Sequence, residues 1–257
     1  MLNKYFALIR MKYVEMFAYQ LASMVWLVGS TVQPLITMMV WMNIYEDQSN
    51  TFILYFSILI FVERMTNAWD IWELETEIRE GSFSNRILKP FHPIHSSIAE
   101  NIVYKGLFLA ALLPAWIILA IFIPILRVDM TVIQWILFLV ALTLAAAIRF
   151  LYSYVFGLLG FWTNKVSALY ITLEAVSLFI SGRIAPFSLL PPVIRNISIF
   201  LPFRYIIGFP VEVATGAAQG MDIIYGLMGC VVWVIIFIIA FHLLWNAGLK
   251  KNQAVGG

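Results

Sequence analysis

Four ionisable residues stand inside stretches that are otherwise apolar and long: Glu63 and Arg64, Arg149, and Glu174. Charged groups in such surroundings are costly unless they are paired or wetted. Counted at about 1.5 Å per helical residue from the nearer boundary of each helix, all four fall toward the cytoplasmic side. Arg149 with Glu174, and Arg64 with either acid, are the expected partners across helices. Glu63 and Arg64 are sequence neighbours and do not face each other on a helix, so each needs a partner elsewhere. The same set suits a hydrophilic vestibule or gate, and equally suits charge pairs that only hold helices together.

A second concentration of charge lies in "DIWELETEIREG". A helix here lines up Asp70, Glu73, Glu77 and Glu80 on one edge and Ile71, Leu74 and Ile78 on the next. Gly81 is a natural stop, and Pro90 and Pro93 prevent early resumption. Ser97 with Glu100 reads as a capping box that opens the following helix. The edge suits docking to a partner in water or a merely solvated acidic face. The tract "GRIAPFSLLPPVIRNISIFLPFRYIIGFP" carries Pro186, Pro191, Pro192, Pro202 and Pro210, so no continuous spanning helix fits, yet it is too apolar for an ordinary loop. Short half-helices dipping into the outer leaflet satisfy both facts, as does an apolar lid.

Enzymatic signatures are missing from the sequence: no G-x-x-x-x-G-K-[ST], H-E-x-x-H, C-x-x-C or G-x-S-x-G occurs. His92 and His95 straddle Pro93 without a carboxylate suited to complete a metal site. No enzyme is expected, no metal or cofactor on this chain, and no ATP hydrolysis by the chain itself.

The elements that must hold these residues are membrane helices. With 62% hydrophobic and 12% charged residues among 257 and a mean hydropathy of +0.91, the chain cannot hide its apolar surface as a water-soluble domain. Six charge-poor stretches are candidate spans: between Glu15 and Glu46, with Pro34 as a kink; about Asn50 to Trp69; Gly106 to Leu126; Thr131 to Trp162; Ser167 to Ser181, which is short; and Ile223 to Leu249. Lys and Arg crowd the loops on the side of the N-terminus, leaving Arg127, Arg183, Arg195 and Arg204 for the other side. That bias puts both termini in the cytoplasm. Residues 2–17 separate an apolar face (Leu2, Tyr5, Phe6, Ile9, Tyr13, Met16) from Lys4, Lys12 and Glu15. That suits a helix lying in the inner interface, or a simple lead-in to the first span. The single cysteine, Cys230, excludes an intrachain disulfide. A net charge of +2 gives no reason to expect nucleic acid. The chain reads as one membrane domain over 1–257, with the interfacial helix at 1–17, a cytoplasmic loop at 70–96 and outer half-helices at 182–220.

The segment "EIREGSFSNRILKPFHPI" resembles the loop after the second span of ATP-binding-cassette exporter permeases of the second type, the ABC-2 family, in which an acidic, glycine-stopped helix precedes a Leu-(Lys/Arg)-Pro turn. The tract "GRIAPFSLLPPVIRNISIFLPFRYIIGFPVEVATG" is similar to that family's outer signature between spans five and six. The resemblance covers essentially the whole chain and is closest to a branch of small six-span permeases. It implies an all-α membrane subunit forming half of a translocation path in a prokaryotic plasma membrane, among membrane lipids. It also implies a second permease subunit, of the same or a related chain, and two copies of a separate ABC ATPase that bind ATP and Mg. Asp70, Glu73, Leu74, Glu77, Ile78, Glu80 and Gly81 would then form the coupling helix. Its apolar edge would seat in the ATPase, and Pro186, Pro191, Pro192, Pro202 and Phe203 would form an outer gate. A membrane anchor that recruits a cytosolic partner, and a secondary transporter, are the alternatives.

Overall fold

The computed structural model describes the backbone of residues 2–18 and 20–251, with side chains from Tyr5 to Met16, at Val25, and from Val28 to Lys251. The expected roles of the Leu2 and Lys4 side chains, and residues 252–257 of the domain, lie outside the described residues. Within them the chain is all α, with no strand. The helices are α1 (Leu2–Ala18), α2 (Gln20–Ile44), α3 (Ser49–Thr66), α4 (Asp70–Arg79), α5 (Phe83–Ile87), α6 (Ile94–Phe122), α7 (Val132–Leu158), α8 (Val166–Ile180), α9 (Pro192–Ile199), α10 (Pro202–Ile206), α11 (Gly208–Ala214) and α12 (Met221–Leu249). Glu46–Arg79, Ile94–Phe122, Val132–Phe161 and Met221–Leu249 are each long and apolar enough to cross a membrane, and Val166–Ile180 is apolar but short. The 25-residue α2 carries Pro34 inside it. The protein is an integral membrane protein.

Helix α7 is the axis of the bundle, in contact with α3, α4, α10, α11 and α12. Its second half is enclosed by protein: Ile148, Tyr154 and Leu158 have no exposed surface and Tyr152 almost none. Its first half presents Ile133, Ile136 and Leu139 outward, as an apolar helix can do where lipid replaces water. Thr131 and Gln134 build the capping box that starts it, each side chain satisfying the other's backbone N–H.

The box expected at Ser97 and Glu100 does not form. Helix α6 begins at Ile94, three residues before Ser97, so its charge-free stretch from Gly106 is only the later part of it. Glu100 is drawn away to the indole of Trp69 and the ammonium of Lys12.

Aromatic contacts show which helix ends share a level. Phe83 meets Phe161 and Trp245 edge-on at 5.5 and 6.0 Å between ring centroids, His92 lies 4.1 Å from Trp245, and Lys251 sits over Trp162. The α4–α5 segment, the start of α6 and the ends of α7 and α12 therefore meet at one end of the bundle. Between α8 and α12 the proline-rich tract forms α9, α10 and α11, none long enough to span. Phe209 fills a notch at Gly226 of α12, where a Cβ would come within 1.9 Å of the ring, and Tyr205 fills a second at Gly229. Small residues of this kind let helices approach closely where water supplies no hydrophobic drive.

Candidate functional site

The buried charges assemble from four elements. Arg149 of α7 donates from Nη1 to Glu174 Oε1 of α8 at 2.5 Å, the pairing expected from their depth. The guanidinium also lies over the rings of Tyr152 and Tyr170, at 5.8 and 5.6 Å. Glu63 does not rely on Arg64. Its partner is Arg183, whose Nε lies 2.9 Å from Glu63 Oε1 while Nη1 donates to Glu174 Oε2 at 3.3 Å.

Arg183, counted in the sequence among the loop charges away from the N-terminus, joins the two buried acids instead of standing free in a loop. Helix α8 has only 15 residues, roughly 22 Å against a hydrocarbon core of about 30 Å. A residue just beyond its end can therefore still reach the buried acids of α3 and α8. The short fifth stretch was the signal in the sequence. Gly182, at φ 92°, then turns the chain back toward α3, and Tyr55 donates to its carbonyl at 2.8 Å. That φ lies in the region open to glycine.

Arg64 is corrected as well. It reaches neither acid across helices, and its nearest carboxylate is its neighbour Glu63 at 3.8 Å. Its Nε is buried without a hydrogen-bond partner among the described residues. Glu63, Arg64, Arg149 and Arg183 line a cavity of about 230 Å³ with Ser30, Gln33, Thr66 and Asn67.

Helix α4 lies inward. Ile71 and Leu74 have no exposed surface, and Leu74 rests on Gly157 of α7, where a Cβ would stand 2.7 Å from its methyl. The expectation that the apolar edge of Leu74 and Ile78 seats in a partner is therefore corrected, because the bundle itself uses that edge. The acidic edge is largely occupied too. Asp70 is buried and accepts from Asn101 at 3.1 Å. Arg86 of α5 holds Glu73 at 3.4 Å and Glu77 at 3.0 Å. Glu75, which sequence reading missed, accepts from the Ser167 N–H at 2.7 Å, an acid at the N-terminus of α8. What faces outward is Trp72, Thr76, Arg79, Glu80 and, beyond the Gly81 turn at φ 75°, Leu88 at 83% exposure.

The N-terminal helix is rotated from the expected wheel. Lys12, placed in water by the sequence, is 9% exposed and bridges Glu100 at 2.6 Å and Glu15 at 3.1 Å. Burial lowers its pKa, but the two carboxylates outweigh that and hold it above the ordinary lysine value. Tyr5 hydrogen-bonds His95 of α6, while Phe6, Met11 and Val14 face outward. Against Trp245, burial pushes His92 below the ordinary histidine value, helped by His95 and His242.

The outer residues divide. Pro191 and Pro192 are exposed and Pro186 is partly so, whereas Pro202 and Phe203 are buried, with Phe203 edge-on to Tyr152 at 5.8 Å. Pro202 and Phe203 thus belong to the core and not to a free outer lid, because α10 wedges between α7 and α12. Arg204 bonds Glu212 at 2.8 Å and covers the Phe187 ring at 3.8 Å, fastening the tract to itself.

The proline-rich tract that lies in sequence between α8 and α12, and the acidic, glycine-stopped α4 with the Leu-Lys-Pro turn after it, are the two features that carry the resemblance. Residues 41–256 match the family described as ABC-2 family transporter protein. The chain belongs to the ABC-2 transporter family. No curated protein matches it. Membership of the ABC-2 family makes the chain a membrane component of an ABC transporter, partnered with an ABC ATPase. The match begins at Trp41 and so covers α3 to α12, including the charge cluster, the α4–α5 segment and the proline-rich tract.

Proposed function

We propose that the chain is the permease subunit of an ATP-driven exporter, supplying half of the translocation path across a prokaryotic plasma membrane with both termini in the cytoplasm. It pairs with a second permease subunit, of the same or a related sequence, above two ATPase subunits that bind ATP and Mg²⁺. The observation that carries this reading is the family match over residues 41–256.

Coupling runs through the outward edge of the α4–α5 segment. Glu80, Arg79 and Leu88 offer a mixed charged and apolar contact, suited to oriented and reversible docking. Behind that edge Arg86 ties α5 to α4. The Ile71 N–H donates to Ser153 at 3.1 Å, tying α4 to α7. Force applied to Leu88 is thereby handed to the helix that carries Arg149. Asp70, Glu73, Leu74, Glu77, Ile78 and Gly81 serve as the rigid backing of the contact. On the opposite face Pro186, Pro191 and Pro192 belong to the moving part of an exit gate, with Pro202 and Phe203 as its anchored base. Helix α1 lies in the inner interface, with Phe6, Met11 and Val14 toward lipid.

The test is site-directed crosslinking of Leu88→Cys, in a Cys230→Ala background, to the cognate ATPase in membranes. A crosslinked product whose yield changes on adding ATP is expected at Leu88 and absent for Phe200→Cys, a comparably exposed position on the proline-rich tract. Equal yields at the two positions, or none at Leu88, would remove the coupling assignment.

A further inference from the structure

We propose that the cavity among α2, α3 and α7 is an anion site that receives a singly charged phosphate group, either the head of a phospholipid-like amphiphile or free phosphate. As a binding site it stands on its own; as the place where cargo is engaged it rests on the transporter reading above.

The charge count carries the first part of the inference. Among the described residues Arg64, Arg149 and Arg183 pair with Glu63 and Glu174 alone, so one positive charge is left without a counterpart in the cluster. The imbalance falls on Arg64. Arg149 is bonded to Glu174 and Arg183 to both acids, whereas among the described residues Arg64 has one ion-pair contact, at 3.8 Å to a carboxylate already engaged by Arg183. It is 8% exposed, and its Nε is buried with no hydrogen-bond partner among the described residues. A guanidinium so placed is expensive to keep unless an anion joins it.

The space and the donors carry the second part. The cavity of about 230 Å³ exceeds many times what one water needs. The planar fork of an arginine matches a tetrahedral oxyanion by two parallel N–H donations. Gln33 from α2 lines the facing wall, and an amide can donate to a further oxygen. A phosphodiester carries a single negative charge and would bring the cluster to neutrality. A divalent cation is excluded by the same count, since it would add to the excess.

The experiment uses the full chain, with two probes. One arm measures equilibrium binding of radiolabelled inorganic phosphate to the full chain transferred to dodecyl maltoside, whose head carries no phosphate to compete. The other measures, by native mass spectrometry, retention of phosphatidylglycerol from nanodiscs mixed with phosphatidylcholine. Saturable binding of one anion per chain is expected in at least one arm, and the arm that responds identifies the source. Arg64→Gln should weaken it tenfold or more, while Lys89→Gln, an exposed cation, should leave it unchanged. Because Arg64→Gln can also disturb α3, the deciding variant is Gln33→Glu, which places the missing negative charge in the cavity wall. It too should lose tenfold or more, with no loss of thermal stability. No binding in either arm, wild-type binding by Gln33→Glu, or equal loss in Lys89→Gln overturns the proposal. A chain that binds anion here yet never associates with an ATPase would retire the transporter reading and leave this site in place. The converse result would do the opposite.

Discussion

Glu174 holds Arg149 and shares Arg183 with Glu63, and this makes the cluster asymmetric. The sequence supplied the depth argument that paired it with Arg149, because both residues could be counted along continuous helices. It did not supply Arg183, whose position depends on a turn at Gly182 and on the shortness of α8. Nor did it supply the burial of Lys12, which depends on how α1 is rotated against α6. A hydrophobic wheel reports which face is apolar but not which part of it meets protein and which meets lipid. The asymmetry has a measurable result. Removing Arg149 leaves Glu174 with Arg183, while removing the charge of Glu174 leaves Arg149 without an acid. Breaking a buried pair so that a charge is orphaned costs about 3–5 kcal/mol. Glu174→Gln should therefore lower the thermal unfolding midpoint in detergent more than Arg149→Leu does. The double variant Arg149→Leu/Glu174→Gln should recover part of the loss. Equal midpoints for the two single variants would mean that Arg183 does not share the carboxylate.

At the scale of elements, the apolar edge of α4, expected to seat in a partner, and Pro202 and Phe203, expected in the outer gate, are both used inside the bundle. Helix α4 has a clear amphipathic pattern, and a pattern fixes the existence and phase of a helix. The identity of the surface that it meets is set elsewhere, here by the groove at Gly157. The proline-rich tract was legible as non-spanning, but the notches at Gly226 and Gly229 that seat it lie in a span with no other distinguishing mark. Those notches give a test of the element contact. Gly226→Ala must push against the fully buried Phe209 ring, and overpacking of this kind costs about 1–3 kcal/mol. Gly106→Ala on α6 meets nothing within 4 Å and should be neutral or slightly stabilising. A thermal comparison in the same detergent should separate them; like effects would show that the tract is not seated in α12.

The junction of α6 with α12 gives a pH dependence at the same scale. His92 has its folded pKa lowered, first by burial and then by His95 and His242. The unfolded chain therefore binds more protons in the window below the ordinary value of about 6.5. Stability from this contact is full above that value and is lost as pH falls through the window. Fluorescence of Trp245 and the unfolding midpoint should both fall with acidification in the wild type and respond less in His92→Phe. An unchanged acid response in that variant would assign the sensitivity to other groups.

The molecule as a whole is a bundle in which one polar end and one proline-rich segment depart from an otherwise apolar design. That much was readable because lipid imposes long apolar helices and leaves charge with few permitted places. The division between rigid backing and docking edge was not readable, since it depends on Arg86 closing over Glu73 and Glu77. The central claim is that this end of the chain couples the bundle to an ATPase. Reversing Glu77 would break an internal pair, so the informative variant changes only exposed residues, Glu80→Lys with Leu88→Asp. The measurement is co-purification of the ATPase subunit and its ATP turnover, for wild type and variant at equal membrane abundance. The expected result is intact insertion with a loss of tenfold or more in association, a change of about 1.4 kcal/mol or above. Full association and turnover in the variant would contradict the coupling role of this surface.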